Sequence, residues 1–87
     1  MSGFDGKVVV VMTNLPDLAV ARKLAKLLVE QRLAACVNVL AQCSSVYRWH
    51  GRIETAAEVP VLIKTLASRY PLVEAAIRAN HPYELPE

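Results

Sequence analysis

Residues 33–65 read LAACVNVLAQCSSVYRWHGRIETAAEVPVLIKT, and the dipeptide His50-Gly51 within them decides how the stretch folds. It is the only x-Gly step lying between two runs rich in β-branched and aromatic residues. Glycine takes positive φ freely and histidine is among the side chains that tolerate it, so a two-residue primed turn is expected there. Such a turn pairs Trp49 with Arg52, Arg48 with Ile53, Tyr47 with Glu54 and Val46 with Thr55. Tyr47, Trp49, Arg52 and Glu54 then share one face, and Val46, Arg48, Ile53 and Thr55 the other. Neither face is purely apolar, so each must meet something partly polar.

The length of this hairpin carries a second message. The arm from Leu33 to Trp49, fully extended, would span about 55 Å at roughly 3.3 Å per residue. A compact domain of this chain length has a radius of gyration near 12 Å and is roughly 30 Å across. The arm therefore bends or projects. The segment Gln42-Cys43-Ser44-Ser45 is the least β-prone part of the run and the expected bend. A projecting tip carrying Tyr47, Trp49 and Ile53 exposes apolar surface unless another chain covers it, which points to an oligomer.

Outward from the hairpin, residues 7–13 (KVVVVMT) form a continuous apolar run, read as a central strand covered on both faces. Asn14-Leu15-Pro16-Asp17 ends it, and Asp17 is placed to cap a helix. Residues 18–32 switch to helical periodicity. Val20, Leu24, Leu27 and Leu28 form one stripe, Ala21 and Ala25 allow close approach to a sheet, and Arg22, Lys23, Lys26 and Glu30 face away. In the second arm of the hairpin Pro60 lacks a ladder donor, so an edge or a bulge is expected there. Ser68 is the expected cap of a second helix, with Pro71 in its first turn and Leu72, Val73, Ala76 and Ile77 as its buried stripe. His81-Pro82 ends that helix. The order β-α-β-β-α, with residues 83–87 as the stub of a further strand, predicts an α+β fold of ferredoxin-like β-α-β-β-α(-β) type with a long central hairpin.

Eighty-seven residues make one domain, 1–87, with 1–6 expected as a flexible tail. A hydrophobic fraction of 54% excludes a disordered chain, and a net charge of +2 from scattered basic residues gives no nucleic-acid signature. No apolar run reaches the roughly 20 residues of a membrane span, and the start of the chain has no small-residue cleavage pattern. Cys36 and Cys43 lie an odd number of residues apart. On one continuous strand they point to opposite faces, beyond disulfide reach, and free thiols suit a cytoplasmic location.

Four stretches taken together, LAACVNVL at 33–40, SVYRWHGRIE at 45–54, EVPVLIKT at 58–65 and HPYELPE at 81–87, resemble the CutA, or divalent-cation-tolerance, family. VVVVMTNLPD at 8–17 sits where that family has its first strand and turn. The resemblance implies a fold similar to the PII signal proteins, a tight homotrimer whose hairpins pair between subunits, binding of copper or another divalent metal, and no catalysis. No cofactor is required by it, and neither nucleic acid nor membrane is a partner. The family's copper site uses a first-strand cysteine and histidines before a Pro-Tyr pair. Those positions are here Met12 and His81, with Asn80 in place of a second histidine. Residues implied at the intersubunit cleft are Tyr47, Trp49, Arg52, Glu58, Lys64 and Tyr83. The sequence departs from the family at Pro60 and after Glu87, where the usual remainder of the last strand and a short helix have no counterpart. One side of the first strand is therefore expected to lack its neighbour.

The residues themselves leave alternatives open. No CxxC, HxxxH or acidic loop writes a closed metal site. A thioether from Met12 with an imidazole from His81 suits Cu(I), and imidazole also suits Cu(II). The plainer readings are Met12 as a core side chain, His81 as a helix terminator, His50 as a turn residue and Cys36 as a small buried hydrophobe. Trp49 beside Arg52 offers a cation–π contact, and Glu54, Glu58 and Glu84 can pair with Arg48, Arg52 or Lys64. No spacing sets a thiolate beside a base. The leading function is a trimeric metal-binding tolerance protein. The alternative, which the sequence does not separate from it, is a metal-independent PII-like signalling or scaffold trimer with a ligand or partner in its cleft. An RNA-binding or metallochaperone module fits less well. The loop after the first strand has no cysteine pair, and the central strands lack spread aromatics.

Overall fold

The computed structural model describes residues 6–80. The elements run β1 (Val8–Leu15), α1 (Leu18–Glu30), β2 (Cys36–Val39), β3 (Cys43–Trp49), β4 (Arg52–Leu66) and α2 (Tyr70–Asn80), with a 3-10 turn at Ala67–Arg69 before α2. This is the expected α+β order with a long hairpin. The further strand expected at 83–87, the roles expected of His81 and Tyr83, and most of the tail at 1–6 lie outside the described residues.

β4 organises the sheet. Its second half pairs antiparallel with β1 on one side and β2 on the other, and its first half pairs with β3. β4, not β1, is thus the central strand. β1 bonds only to β4 among the described residues, and it is covered on one face rather than two. Thr13 and Leu15 point inward, Val9 and Val11 are half-buried, and Val8, Val10 and Met12 are exposed. The core is the layer between this sheet face and the helices: Leu15, Val59, Val61 and Ile63 against Ala21, Leu24 and Leu28 of α1 and Val73 and Ile77 of α2.

Local chemistry sets the helix ends. The Asp17 carboxylate accepts from the Val20 N–H at 2.9 Å, as an N-cap does. At the other end, the Leu33 N–H reaches Leu28 O at 2.9 Å and the Arg32 N–H reaches Val29 O at 3.0 Å. This is the Schellman closure, with Arg32 at φ 59° in the position usually given to glycine. The helix therefore stops two residues before the expected Arg32. Ser68 is not the cap of α2, because the 3-10 turn begins one residue earlier and starts from Leu66. Leu72 leaves the predicted stripe and is exposed, while Val73 and Ile77 are buried.

The hairpin turn is as read from the sequence. His50 and Gly51 have φ 51° and 76°, and Trp49 pairs with Arg52, Tyr47 with Glu54 and Val46 with Thr55. The bend lies at residues 40–42, slightly ahead of the expected segment, since Cys43, Ser44 and Ser45 are already in β3. Across it Val39 faces Val61 and Cys43 faces Glu58, so three residues of one arm oppose two of the other. That one-residue bulge re-phases the arm. Cys36 sits opposite Lys64 and Cys43 opposite Glu58, two positions of the same parity on β4, so the two cysteines share a face instead of opposing one another. Both are free and exposed, and Cys36 is not a buried hydrophobe.

Pro60 occupies the central strand, not an edge. Its carbonyl accepts from the Leu40 N–H at 2.9 Å, just where the β2 ladder ends, so the missing donor falls at a bond the bulge would break in any case. The arm lengthens the molecule to 48 × 25 × 21 Å and raises its radius of gyration to 14.1 Å. Among the described residues no helix is long and apolar enough to cross a membrane.

Candidate functional site

The open face of the sheet gathers most of the residues singled out in the sequence. On β4, successive side chains alternate between the helices and this face, and residues directly across the ladder share a side. One row on the open face is Met12–Leu62–Asn38, and the next is Val10–Lys64–Cys36. The helix-side rows between them, Thr13–Val61–Val39 and Val11–Ile63–Val37, feed the core. Following the same parity into the arm brings Glu58 opposite Cys43, Glu54 opposite Tyr47 and Arg52 opposite Trp49. Tyr47, Trp49, Arg52, Glu58 and Lys64 thus belong to one twisted surface, while Tyr83 lies outside the described residues.

That surface is apolar where an isolated chain meets water. Val8, Val10 and Met12 are 69%, 58% and 60% exposed, and at the tip Val46 and Ile53 are exposed on the opposite face and Tyr47 and Trp49 on this one. Glu58 is the exception, buried on the same face. The uninterrupted VVVV run was the available signal. An apolar strand with both faces apolar is either central in a sheet or at its border with a second face reserved for a neighbour, and the sequence cannot separate the two.

Met12 is solvent-accessible and not a core side chain. Its cross-ladder neighbours are Leu62 and then Asn38, and Cys36 lies one row away on the far side of β4. No three His, Cys, Asp or Glu side chains gather as a metal-holding group among the described residues. His50 is a turn residue and packs edge-on against Trp49, with ring centroids 4.7 Å apart. Arg52 turns instead to Glu54, Nε to Oε2 at 3.8 Å, so the expected stacking of Trp49 on Arg52 is replaced by a ring contact and an exposed ion pair. Such a pair contributes little.

Known proteins match this arrangement closely. A family model described as CutA1 divalent ion tolerance protein matches residues 9–87. The divalent-cation tolerance protein CutA of Thermus thermophilus is 44% identical over 78 residues, 90% of this chain and 76% of that one. A solved structure of the protein from that organism superposes with a TM-score of 0.90, covering 93% of this chain and 79% of that one. Human protein CutA is 43% identical over 87 residues, 99% of this chain, which spans 49% of the human protein's length. A structure titled PII-like protein CutA, from Nostoc sp. PCC 7120 in apo form, is 37% identical with a TM-score of 0.82, covering 90% of this chain and 73% of that one.

Proposed function

Because the chain belongs to the CutA1 divalent ion tolerance family, we propose that it acts as a homotrimer that binds a divalent metal, copper in the first instance, in a metal-tolerance role. The observation that carries the assembly is the uncovered face: burying Val8, Val10 and Met12 against another subunit gains about 1.5–3 kcal/mol for each apolar side chain fully removed from water. The projecting arm supports exchange of hairpins between neighbours, since its tip presents Trp49 and Ile53 beyond its own core. For the metal, the support is the family's name and the accessible thioether of Met12, with His81 as the partnering imidazole. Two donors per subunit hold a metal weakly, so ligands from a second subunit complete the site in this reading.

The second reading is a metal-independent PII-like trimer binding a small ligand or partner in its intersubunit cleft, favoured by the likeness to the PII-like Nostoc protein. Calorimetric titration decides between the two, with Cu(II) and, under reducing conditions, with Cu(I). Imidazole binds metal only when neutral, and its unperturbed pKa is about 6.5, so affinity falls from roughly pH 7 to 5 if His81 is a ligand. His81→Ala then removes most of the binding, and Met12→Cys strengthens it by supplying a thiolate. Equal affinity in wild type and His81→Ala at both pH values defeats the metal site and leaves the PII-like reading.

A further inference from the structure

Glu58 sits where the helix-covered half of β4 passes into the arm. It is 7% exposed, whereas Lys64, on the same face of the same strand, is exposed. The ion pairs among the described residues are Lys26–Glu30, Arg52–Glu54 and Arg78–Glu74, so neither Glu58 nor Lys64 has an ionic partner there. The cross-strand neighbour of Glu58 is Cys43, whose thiol lies instead 3.9 Å from the Ser45 hydroxyl. Among the described residues no fully enclosed polar side-chain atom lacks a hydrogen-bond partner. The little exposure that Glu58 keeps therefore includes its oxygens, and water reaches them.

A carboxylate taken out of water without a donor is costly, and in a single chain that last contact with water offsets the cost. A second copy closing over this face takes the water away. The carboxylate then needs a donor that its own chain does not supply. Lys64 of the same chain stands six residues further on, about 20 Å along the strand at roughly 3.3 Å per residue, and is out of reach. Of the other cations on the strands, Arg48 lies on the opposite face and Arg52 is turned to Glu54. Lys64 is thus the cation that this face leaves without a partner, as Glu58 is the anion.

We propose that the two meet between copies, Lys64 of one subunit pairing with Glu58 of the next at each interface of the trimer. The inference rests on the homotrimer reading above and gives that interface its polar centre. A ring of three subunits joins two different patches at every contact, so the same pair forms three times without a conflict of symmetry. An assembly in another register strands both charges, and the pair thereby selects one register over the rest.

The test is sedimentation across a concentration series for the wild type, Glu58→Gln, Lys64→Met and the double variant. Lys64 is exposed in the single chain, so Lys64→Met leaves the fold intact and reads assembly alone. Each single substitution is expected to move the dissociation midpoint about tenfold or more toward higher concentration, because it strands the opposite charge at the interface. The double variant is expected to lose little more than either single one. Side chains this far apart in one chain act additively, so the coupling reads a contact between subunits. A Glu58→Gln protein that assembles as well as or better than the wild type overturns the pair, since the buried charge is then only a cost. Additive losses in a trimeric wild type overturn it as well, and leave the trimer standing. A wild type that stays monomeric at every concentration overturns the trimer reading itself, and the pair with it.

Discussion

β4 is one strand with two lives. Residues 59–66 lie between β1 and β2 under two helices, and alternate side chains there are buried: Val59, Val61, Ile63 and Thr65. Residues 52–58 pair with β3 alone, and all but Glu58 keep substantial contact with solvent. The backbone ladder continues through both, so hydrogen bonding does not distinguish them. What differs is side-chain cover. A two-stranded ribbon has no layer to pack against and is marginal alone in water. It follows that the helix-covered half carries the stability of a single chain, to which the arm adds little.

The largest expected effect separates the halves directly. Ile63→Ala should cost about 2–5 kcal/mol in chemical denaturation, because the side chain is fully buried and leaves a cavity. Ile53→Ala, at a side chain 61% exposed, should leave the stability of the isolated chain within about 0.5 kcal/mol. Equal losses would mean that the arm shares the core's cooperative unit. Next in size, Trp49→Ala should weaken subunit association by about 2 kcal/mol or more if the tip is an interface centre. Sedimentation across a concentration series reads this, and an unchanged dissociation profile would place Trp49 in solvent. Asp17→Ala should lower stability by about 1 kcal/mol through the lost cap on α1, with the association of subunits unaffected. The smallest effect belongs to the turn. His50→Asn suits positive φ better and should stabilise by no more than about 0.5 kcal/mol, visible as slower amide exchange confined to residues 46–55.

Several features were legible from residues near one another in the chain. His50-Gly51 dictated a primed turn and, through it, the register of the arm, because a two-residue turn leaves only one pairing. Asp17 dictated a cap, and the 3.6-residue period from Leu18 onward dictated which side of α1 is buried. These are short-range constraints of sterics, hydrogen bonding and periodicity, and they act before any distant contact forms. The stretches shared with the CutA family likewise sufficed to indicate the fold.

Other features depended on how the elements assembled. VVVVM is compatible with a strand covered on both faces, and only the packing of both helices on the Thr13–Leu15 face of the sheet left Val8, Val10 and Met12 as an open surface. The one-residue bulge at 40–42 lies where the β2 and β3 ladders on β4 meet, and it put Cys36 and Cys43 on a common face that sequence parity alone assigns to opposite ones. Arg32 is distant in sequence from Lys64 and Arg69, and no local pattern links it to them. The turn after α1 closes onto the end of β4, where the Leu33 carbonyl accepts from the Thr65 hydroxyl at 2.6 Å, and this long-range contact brings Arg32 into one groove with Lys64 and Arg69.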